Sequence, residues 1–371
     1  MIYHIYWGTA GNAGLYLDEI YQTLSRVGYS QKAFVSFYYP FDYGKKIFFK
    51  RTEMEHCRYK GVIRKLMQAC ELVMAFIRIL LSAKKDKPNV VNYSYVSRGN
   101  VLILYFLKAI KKYSGCKLMI TCHDVIPIIK DQKEYEKEIS IKKQIYALAD
   151  FYLVHTEKSK EEILQLFDVR EGQIVKHPFP LMDLSKLNCD NEKTSREVKY
   201  DFLFIGHMRP EKGVDILLDA WKVLFEEHPN VKLCIAGNPN YYANYIDEHK
   251  EWCNNHNVVL KLGFISDDDY IDIVKSARCV VFPYTGGTNS GVISTVVSLE
   301  RDVITSDIGM FAKNEFVPQE NMFIAGDAVA LSRKMNEYLK GSLVSDSKKR
   351  VIEYRNIFDR EVEKLYSQIC K

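Results

Sequence analysis

Short apolar segments alternate with longer amphipathic segments along almost the whole chain, and this alternation constrains the fold more than any other feature. Segments with the length and apolar content of buried strands recur, and helical periodicity separates most of them, as in Leu15–Val27, Val101–Lys112 and Asp215–Glu227. This pattern is typical of β-α-β units around a parallel sheet with helices on both faces. The predicted strands are Ile2–Trp7, Ala33–Phe37, Val90–Tyr93, Lys117–Thr121, Phe151–Val154, Ile174–Lys176, Tyr200–Ile205, Val231–Ala236, Val258–Leu262, Cys279–Phe282 and Asp302–Thr305.

A polar stretch from Leu181 to Val198 interrupts the alternation, which then starts again. The chain has 371 residues, more than the ~250–300 at which a single core stops growing. We therefore predict two similar α/β halves, residues 1–182 and 183–346, and a final amphipathic helix in residues 347–371. A cleft between such halves is the default place for a ligand.

The composition is that of a globular protein, with 47% hydrophobic and 27% charged residues. Disordered, collagen-like and low-complexity classes are thereby excluded. The nine cysteines include no CxxC pair, which favours a reducing compartment. The first residues lack the basic and apolar regions of a signal peptide, so we expect a cytoplasmic protein.

The most membrane-like segment is Leu66–Leu81, which contains Gln68, Glu71 and Arg78. It is shorter than the ~20 apolar residues that a transmembrane helix needs. We expect an ordinary helix packed on the sheet, not a span.

The net charge of +5 is concentrated in the first hundred residues, where 15 Lys and Arg face 7 Asp and Glu. Residues 43–65 are the most basic segment and are interleaved with aromatic residues. A solvated loop is one interpretation. The other, which we favour, is peripheral contact with an anionic membrane surface. The basic residues form no known nucleic-acid-binding module, so a nucleic-acid partner is not expected.

Glycines follow the first predicted strand at Gly8, Gly11 and Gly14. They would let backbone N–H groups approach a phosphate at a helix N-terminus. Their spacing is GxxGxxG, and no acidic residue ends the second strand to hold a ribose, so a tight turn near a ligand is favoured over a dinucleotide site.

Three consecutive acids, Asp267–Asp269, have two possible interpretations. They could bind a metal, or they could form the first turn of a helix capped by Ser266. We favour the helix cap. The sequence contains no zinc spacing, P-loop or nucleophile elbow, and we expect neither a metal nor a cofactor.

Three other segments carry candidate chemistry. His123 follows a predicted strand at the end that faces the ligand crevice in open α/β sheets, although a satisfied loop histidine remains an alternative. Arg209 and Lys212 lie on a short basic loop and could clamp a diphosphate, unless that loop is simply solvated. Ser290 and Gly291 begin a helix after a glycine-rich loop, where free N–H groups suit an anion.

These segments resemble the family 4 retaining glycosyltransferases, which have the GT-B fold of two Rossmann-like domains. The stretch GxxRPxKGxDxLLxAW from Gly206 to Trp221 is similar to the family's donor-diphosphate loop. The resemblance covers essentially the whole chain. Its other motifs, in order, are the Gly14 loop, His123-Asp124, Ala149-Asp150, CxxAG at Cys234–Gly237, GFISDDD at Gly263–Asp269 and VFPY at Val281–Tyr284.

The resemblance implies a role for each site residue. His123, Arg209 and Lys212 are expected to be catalytic, with His123 touching the donor sugar. The resemblance also implies that the final helix returns to the first domain. The donor diphosphate would be bound by Gly14, Arg209, Lys212, Ser290 and Gly291, and Gly11, Gly206, Gly237, Tyr284, Asn289 and Thr295 would lie near the nucleotide or sugar.

The chain departs from the family at the Glu-x7-Glu motif, because Gly287 and Thr295 occupy the two glutamate positions. The family's way of binding the donor sugar and the ribose therefore cannot be carried over to this chain. The local sequence resembles a subgroup with an SGV loop, also classed as glycosyltransferases.

The resemblance implies retaining transfer of a hexose-type sugar from a UDP- or GDP-sugar to a glycan or polyprenyl-linked acceptor. Bacterial surface polysaccharide assembly (capsule, O-antigen or exopolysaccharide) is the expected setting, with the enzyme in the cytoplasm or on the inner face of the plasma membrane. Two alternatives stay open: a catalytically weak nucleotide-sugar-binding partner subunit of another transferase, and a GT-B-fold phosphorylase-like enzyme.

Overall fold

The computed structural model describes residues 1–8, 13–52, 59–94, 101–123, 125–126, 131–187, 197–239, 242–286, 291–308, 311, 316–344 and 346–370. Of the predicted site residues, Gly11, Asn289 and Ser290 lie outside these ranges, as do Asp124 and Gly287. The chain forms two compact units. The first comprises Met1–Pro180 with Phe358–Lys371, and the second comprises Leu181–Ile357.

The first unit is built on a seven-stranded parallel sheet with the order β3-β2-β1-β4-β5-β6-β7. Its strands are β1 (Ile2–Tyr6), β2 (Gln31–Ser36), β3 (Lys45–Phe48), β4 (Val90–Tyr93), β5 (Lys117–Thr121), β6 (Phe151–Val154) and β7 (Ile174–Lys176). Its helices are α1 (Ala13–Arg26), α2 (Gly61–Asp86), α3 (Val101–Ser114), α4 (Gln132–Tyr146) and α5 (Glu157–Leu166).

The central strands of this sheet are buried on both faces, which explains their nearly continuous apolar sequences. All five residues of β1 are buried, and β1 pairs in parallel with both β2 and β4. The helices α2 and α3 pack together through Phe76 and Phe106, whose rings stack with centroids 4.0 Å apart. Aromatic burial of this kind supplies much of the core's stability.

The second unit has a six-stranded parallel sheet with the order β10-β9-β8-β11-β12-β13. Its strands are β8 (Tyr200–Ile205), β9 (Leu233–Gly237), β10 (Val258–Leu262), β11 (Ala277–Phe282), β12 (Asp302–Ser306) and β13 (Met322–Phe323). Its helices are α6 (Val214–Glu227), α7 (Ala243–Glu248), α8 (Lys250–Asn255), α9 (Asp267–Lys275), α10 (Gly291–Ser298) and α11 (Ala328–Leu339).

The last helix, α12 (Ser347–Ile369), contributes to both units. Within the first unit, the Asp359 carboxylate accepts hydrogen bonds from the Thr23 hydroxyl at 2.7 Å and from the Arg26 guanidinium at 2.6 Å. Val362, at 0% exposure, and Tyr366, at 1%, are buried there. The division in the structure therefore differs from the expected segment 347–371, because residues 347–357 count with the second unit.

The prediction of two Rossmann-like parallel-sheet domains is confirmed. Every predicted strand is present, and two short edge strands, β3 and β13, were not predicted. The polar stretch that begins at Leu181 is not a free linker at its start. Leu181 and Met182 are buried, and the Met182 N–H donates to the Ser294 hydroxyl of α10 at 2.9 Å.

Candidate active site

The candidate donor site of the second unit lies where the direction of strand succession reverses. From β8 the chain adds β9 and β10 on one side, and β11, β12 and β13 on the other. Open parallel sheets bind ligands at the carboxyl ends of the strands beside this reversal. The loops that follow β8 and β11 contain Arg209, Lys212 and Tyr284. The sheet topology thus brings three of the predicted residues to the expected edge.

Glycines allow the loop after β8 to approach β9 closely. Gly206 and Gly237 have φ values of +141° and +130°, a region that other residues rarely occupy. A Cβ atom on Gly237 would lie 2.0 Å from the Gly206 carbonyl oxygen. The backbone conformation at both positions, and the close approach at Gly237, therefore favour glycine for structural reasons.

The loop after β8 also touches the loop after β11. A Cβ atom on Gly213, where φ is +65°, would lie 2.0 Å from the Pro283 carbonyl oxygen. The Thr285 N–H donates to the Glu211 carbonyl at 3.0 Å. These backbone contacts fix the short turn Pro210–Lys212 relative to β11 and so position the side chains on both loops.

Lys212 and Tyr284 form the most distinctive pair in this site. The Lys212 ammonium lies 3.7 Å from the centre of the Tyr284 ring, a close cation–π contact. Burial, with the nearby Arg209 charge as a second cause, lowers the pKa of Lys212 to about 8, although Glu211 partly offsets this. Among the residues that the structure describes, no carboxylate lies within ion-pair distance of Lys212. Its charge is thus available to an anionic ligand.

Tyr284 is buried and packed against other aromatic rings. It is 1% exposed, its ring contacts Phe282 and Phe311 with centroids 5.6 and 5.4 Å away, and its carbonyl accepts from the Ser306 hydroxyl at 2.6 Å. Because the Tyr284 ring is packed in place, it also defines the position of the Lys212 ammonium that lies over it.

Arg209 lies on the same turn but is more exposed. Its guanidinium is 3.4 Å from the Glu211 carboxylate, and each side chain is about two-fifths exposed. Ion pairs this exposed stabilise little. Arg209 could therefore exchange Glu211 for a phosphate at small cost.

The helix α10 begins at Gly291, at the carboxyl edge of the same sheet. Thr295 is fully buried, and its hydroxyl donates to the Gly291 carbonyl at 2.9 Å. This hydrogen bond ties the Thr295 hydroxyl to the first residue of α10. The expectation that Thr295 lies near the nucleotide or sugar stays a prediction.

The acidic run Asp267–Asp269 forms the first turn of α9, which Ser266 caps. The Ser266 hydroxyl accepts from the Asp269 N–H at 3.2 Å, and Asp269 is in the first turn of α9. Burial raises the pKa of Asp267, and Asp268 adds to this. Within the described part of the chain, no three His, Cys, Asp or Glu side chains are placed to hold a metal ion.

The first unit brings three histidines together at the carboxyl ends of neighbouring strands. His123 follows β5, His155 follows β6 and His177 follows β7. The rings of His123 and His155 are 5.8 Å apart, and those of His155 and His177 are 5.0 Å apart. Tyr16 of α1 packs edge-on against His123 at 4.6 Å.

Burial keeps these imidazoles neutral. It lowers the pKa of His123 and of His177 to about 4, and it lowers the pKa of His155 further, with the two other histidines adding to the effect. The His177 carbonyl contacts Nδ1 of His155 at 3.2 Å. A neutral His123 can exchange hydrogen bonds with a sugar hydroxyl but carries no charge.

Gly14 is the second residue of α1. A Cβ atom there would make ordinary contacts with Pro40 and Tyr39 at 3.5 and 3.7 Å. Packing within the first unit therefore does not require a glycine at this position, and close approach of a ligand stays a prediction.

Two interactions near the sites were missed from the sequence. Tyr242 donates from its hydroxyl to the Asp215 carboxylate of α6 at 2.9 Å, and no motif pointed to this pair. His155 and His177 could have been found, because each directly follows a predicted strand, as His123 nearly does.

Comparison with known proteins finds glycosyltransferases among the relatives of this chain. Residues 199–341 match the profile of the family described as glycosyl transferases group 1. An uncharacterised glycosyltransferase of Methanocaldococcus jannaschii is 26% identical over 255 residues, which cover 66% of this chain and 62% of that protein. The capsular polysaccharide biosynthesis glycosyltransferase CapM of Staphylococcus aureus is 25% identical over 322 residues, covering 80% of this chain and 81% of that protein.

A crystal structure of Anabaena HepE in complex with UDP superposes on this chain with a TM-score of 0.63 at 14% identity, and covers 99% of this chain and 98% of that one. This similarity shows the fold, which is the GT-B fold of glycosyltransferases. The family profile covers residues 199–341, which lie in the second unit, and the chain matches less than two thirds of the length of the Methanocaldococcus protein.

Proposed function

We propose that the chain is a retaining glycosyltransferase of family 4 that moves a hexose-type sugar from a UDP- or GDP-sugar to a glycan or polyprenyl-linked glycan. One observation carries the proposal: a lysine without a carboxylate partner among the described residues is held over a buried tyrosine ring at the ligand-binding edge of the second sheet. The UDP complex of HepE supports a nucleotide donor.

Breaking the anomeric bond leaves negative charge on the departing diphosphate. Groups aimed at that charge lower the barrier more than groups that bind the ground state. We assign this role to Lys212 as a point charge and to Arg209 as a planar fork. Backbone N–H groups at Ser290 and Gly291 would add the favourable field of a helix N-terminus.

The first unit would supply the sugar and acceptor side. We assign to His123 a hydrogen bond with the donor sugar, made by a neutral imidazole, and to the Gly11–Gly14 segment a close approach of backbone to ligand. We propose no metal and no cofactor. The residues that replace the two missing family glutamates have no assignment.

The setting we propose is the cytoplasmic face of a membrane where a surface polysaccharide is assembled, as the name of CapM suggests for that relative. Residues 43–65 would contact anionic lipids. This segment is not wholly a loop, because Lys45–Phe48 forms the edge strand β3, but Lys45, Lys50 and Arg51 are exposed on it.

The test is a thermal-shift panel with UDP, GDP, ADP, CDP and dTDP on the wild type, Lys212→Ala and Lys222→Ala. Lys222 lies on α6 of the same unit, where it pairs with the surface carboxylate of Asp219 and lies 5.6 Å from the centre of the Trp252 ring. Its removal changes the net charge equally. We expect one diphosphate to raise the melting temperature of the wild type and of Lys222→Ala, but not of Lys212→Ala.

Turnover of the matching nucleotide sugar should fall about 30- to 1000-fold in Lys212→Ala, because a lost contact to developing charge costs ~2–4 kcal/mol. Binding without turnover on any acceptor would favour a partner subunit, and transfer to inorganic phosphate would favour a phosphorylase-like enzyme. Equal turnover by a folded Lys212→Ala protein would contradict the assignment.

A further inference from the structure

Helix α2 packs on the first unit through one face only. The side chains of this face include Leu72, Phe76 and Ile79, which are at most 5% exposed. Glu71 is buried beside them and accepts hydrogen bonds from the Thr52 hydroxyl at 2.6 Å and the Arg51 N–H at 2.9 Å. This face is complete as a domain core contact.

The opposite face of α2 is also apolar, and it is exposed. Six side chains follow one another at intervals of three or four residues and so form a single stripe. Ile63 is 61% exposed, Met74 51% and Leu81 65%. At 1.5 Å per residue the stripe is ~27 Å long. The stripe consists of Ile63, Leu66, Cys70, Met74, Ile77 and Leu81, all of them exposed.

An exposed stripe of this length is unusual on a solvent-facing helix, because the outward face normally carries polar residues. The predicted packing of an ordinary helix on the sheet accounts for the inward face of α2 but not for this one. By length and composition α2 could also cross a membrane. Its inward face argues against this, since spanning would remove Phe76 and the hydrogen-bonded Glu71 from the core.

The charged residues around the stripe are cationic. The only acids of α2 are turned inward: Glu71 bonds to Thr52, and Asp86 accepts from Tyr3 and Lys32. The neighbouring helix α3 contains no acid. The exposed charges of the two helices are Arg64, Lys65, Arg78, Lys84, Lys85, Lys108 and Lys112.

Helix α3 extends the surface with aromatic side chains that suit an interface between water and lipid. Tyr105 is 65% exposed and Tyr113 is 62% exposed. The Lys108 and Lys112 ammonium groups lie 6.0 and 5.9 Å from the two ring centres. Tyrosine and lysine side chains are favoured at this depth because their polar ends reach water while their apolar parts contact lipid.

We propose that the exposed face of α2 and α3 lies flat on an anionic lipid bilayer, with the stripe inserted among the acyl chains and the lysines and arginines on the headgroups. Charge complementarity selects this occupant. A second copy of the chain would bring the same lysines and arginines and would be repelled by them. Anionic headgroups attract these residues. The inference does not depend on sugar transfer, since it concerns a surface apart from the donor site.

The test is co-sedimentation of the full chain with vesicles of phosphatidylglycerol and phosphatidylcholine in equal amounts, compared with pure phosphatidylcholine. The stripe variant is Leu66→Ser/Ile77→Ser. Its control is Ile324→Ser/Val329→Ser, which removes apolar side chains that are 63% and 59% exposed in the second unit. Because all four side chains are exposed, both variants should fold.

We expect the wild type and the control to bind the anionic vesicles and to bind pure phosphatidylcholine far less. The stripe variant should bind about tenfold or more weakly, since two apolar side chains no longer insert. The variant Arg78→Gln/Lys85→Gln should also bind about tenfold or more weakly. Nucleoside diphosphate binding in solution should stay unchanged in all of them, which separates this inference from the donor site.

Equal binding by the stripe variant and the control would overturn the proposal, and so would no binding by the wild type. Sedimentation velocity without vesicles gives a further check. A dimer of the wild type that is lost in Leu66→Ser/Ile77→Ser would show that a second copy covers the stripe instead of lipid.

Discussion

Among the residues that the structure describes, the Lys212 ammonium lies over a ring and has no carboxylate within ion-pair distance, and this arrangement has a chemical consequence. An ion pair would hold the ammonium as well, but a phosphate would then have to displace an anion. The Tyr284 ring lies on one side of the ammonium, with its centre 3.7 Å away, and a phosphate would accept hydrogen bonds from the other N–H donors. The lowered pKa of about 8 means that the ammonium stays largely charged near neutral pH, and a bound diphosphate would raise that pKa.

The glycines at the rim support a prediction about packing. We expect Gly237→Ala to destabilise the second unit by ~3 kcal/mol or more, because its Cβ would lie 2.0 Å from the Gly206 carbonyl oxygen in addition to the backbone strain. Differential scanning calorimetry measures this loss. The control is Gly263→Ala, where φ is a similar +118° and no atom lies within 4 Å.

Gly263→Ala should therefore cost only the strain, ~1–2 kcal/mol. If the two variants lost the same stability, the close approach of the β8 loop to β9 would be incorrect.

At the residue scale the sequence predicted which side chains share a loop better than what those side chains touch. Arg209 and Lys212 could be found because both lie on one short loop before a helix. The ring under Lys212 could be placed near the donor only by resemblance, since the contact joins loops after two different strands. The buried state of Thr295 follows from its place on the inner face of α10, which no local pattern reveals.

Three strand ends of the first unit hold neutral histidines, and this predicts sensitivity to acid. The ordinary pKa of an imidazole is 6.5, and burial lowers the pKa of His123 and His177 to about 4 and that of His155 further. Between these values the unfolded chain binds more protons than the folded one, so stability falls as the pH falls from 6.5 toward 4.

We expect the variant His155→Phe to lose less stability on acidification. At pH 5 the difference in the free energy of unfolding should be on the order of 1 kcal/mol. The replacement keeps a ring against Tyr16 and Phe179 but removes the proton-binding nitrogens. Thermal unfolding followed from pH 7.5 to 4.5 measures the slope. An unchanged slope would mean that His155 is not buried in the neutral form.

At the element scale the buried strands were predicted well and the edges were not. Central strands such as β1 and β8 bury nearly every residue, so their composition alone identifies them. Edge strand β3 begins with Lys45 and Lys46, and charged residues are typical both of loops and of protected edges. The orientation of helix α2 could not be predicted, because both of its faces are apolar and the sequence does not indicate which of them packs on the sheet.

The whole molecule divides into two parallel-sheet units that share the final helix. The restart of the strand pattern after a polar stretch predicted this organisation, because a parallel sheet has a recognisable alternation. The sequence could not predict that Met182 is bound to α10, since that contact depends on Ser294 and Ser298, far along the chain.

The central claim is that the loops after β8 and β11 hold the donor diphosphate, and a structure of the chain with its preferred nucleoside diphosphate tests it most directly. We predict a phosphate oxygen within hydrogen-bond distance, ~2.7–3.2 Å, of the Lys212 ammonium, with Arg209 turned from Glu211 toward the same group. A diphosphate bound elsewhere, with no phosphate oxygen within hydrogen-bond distance of Lys212, would contradict the account.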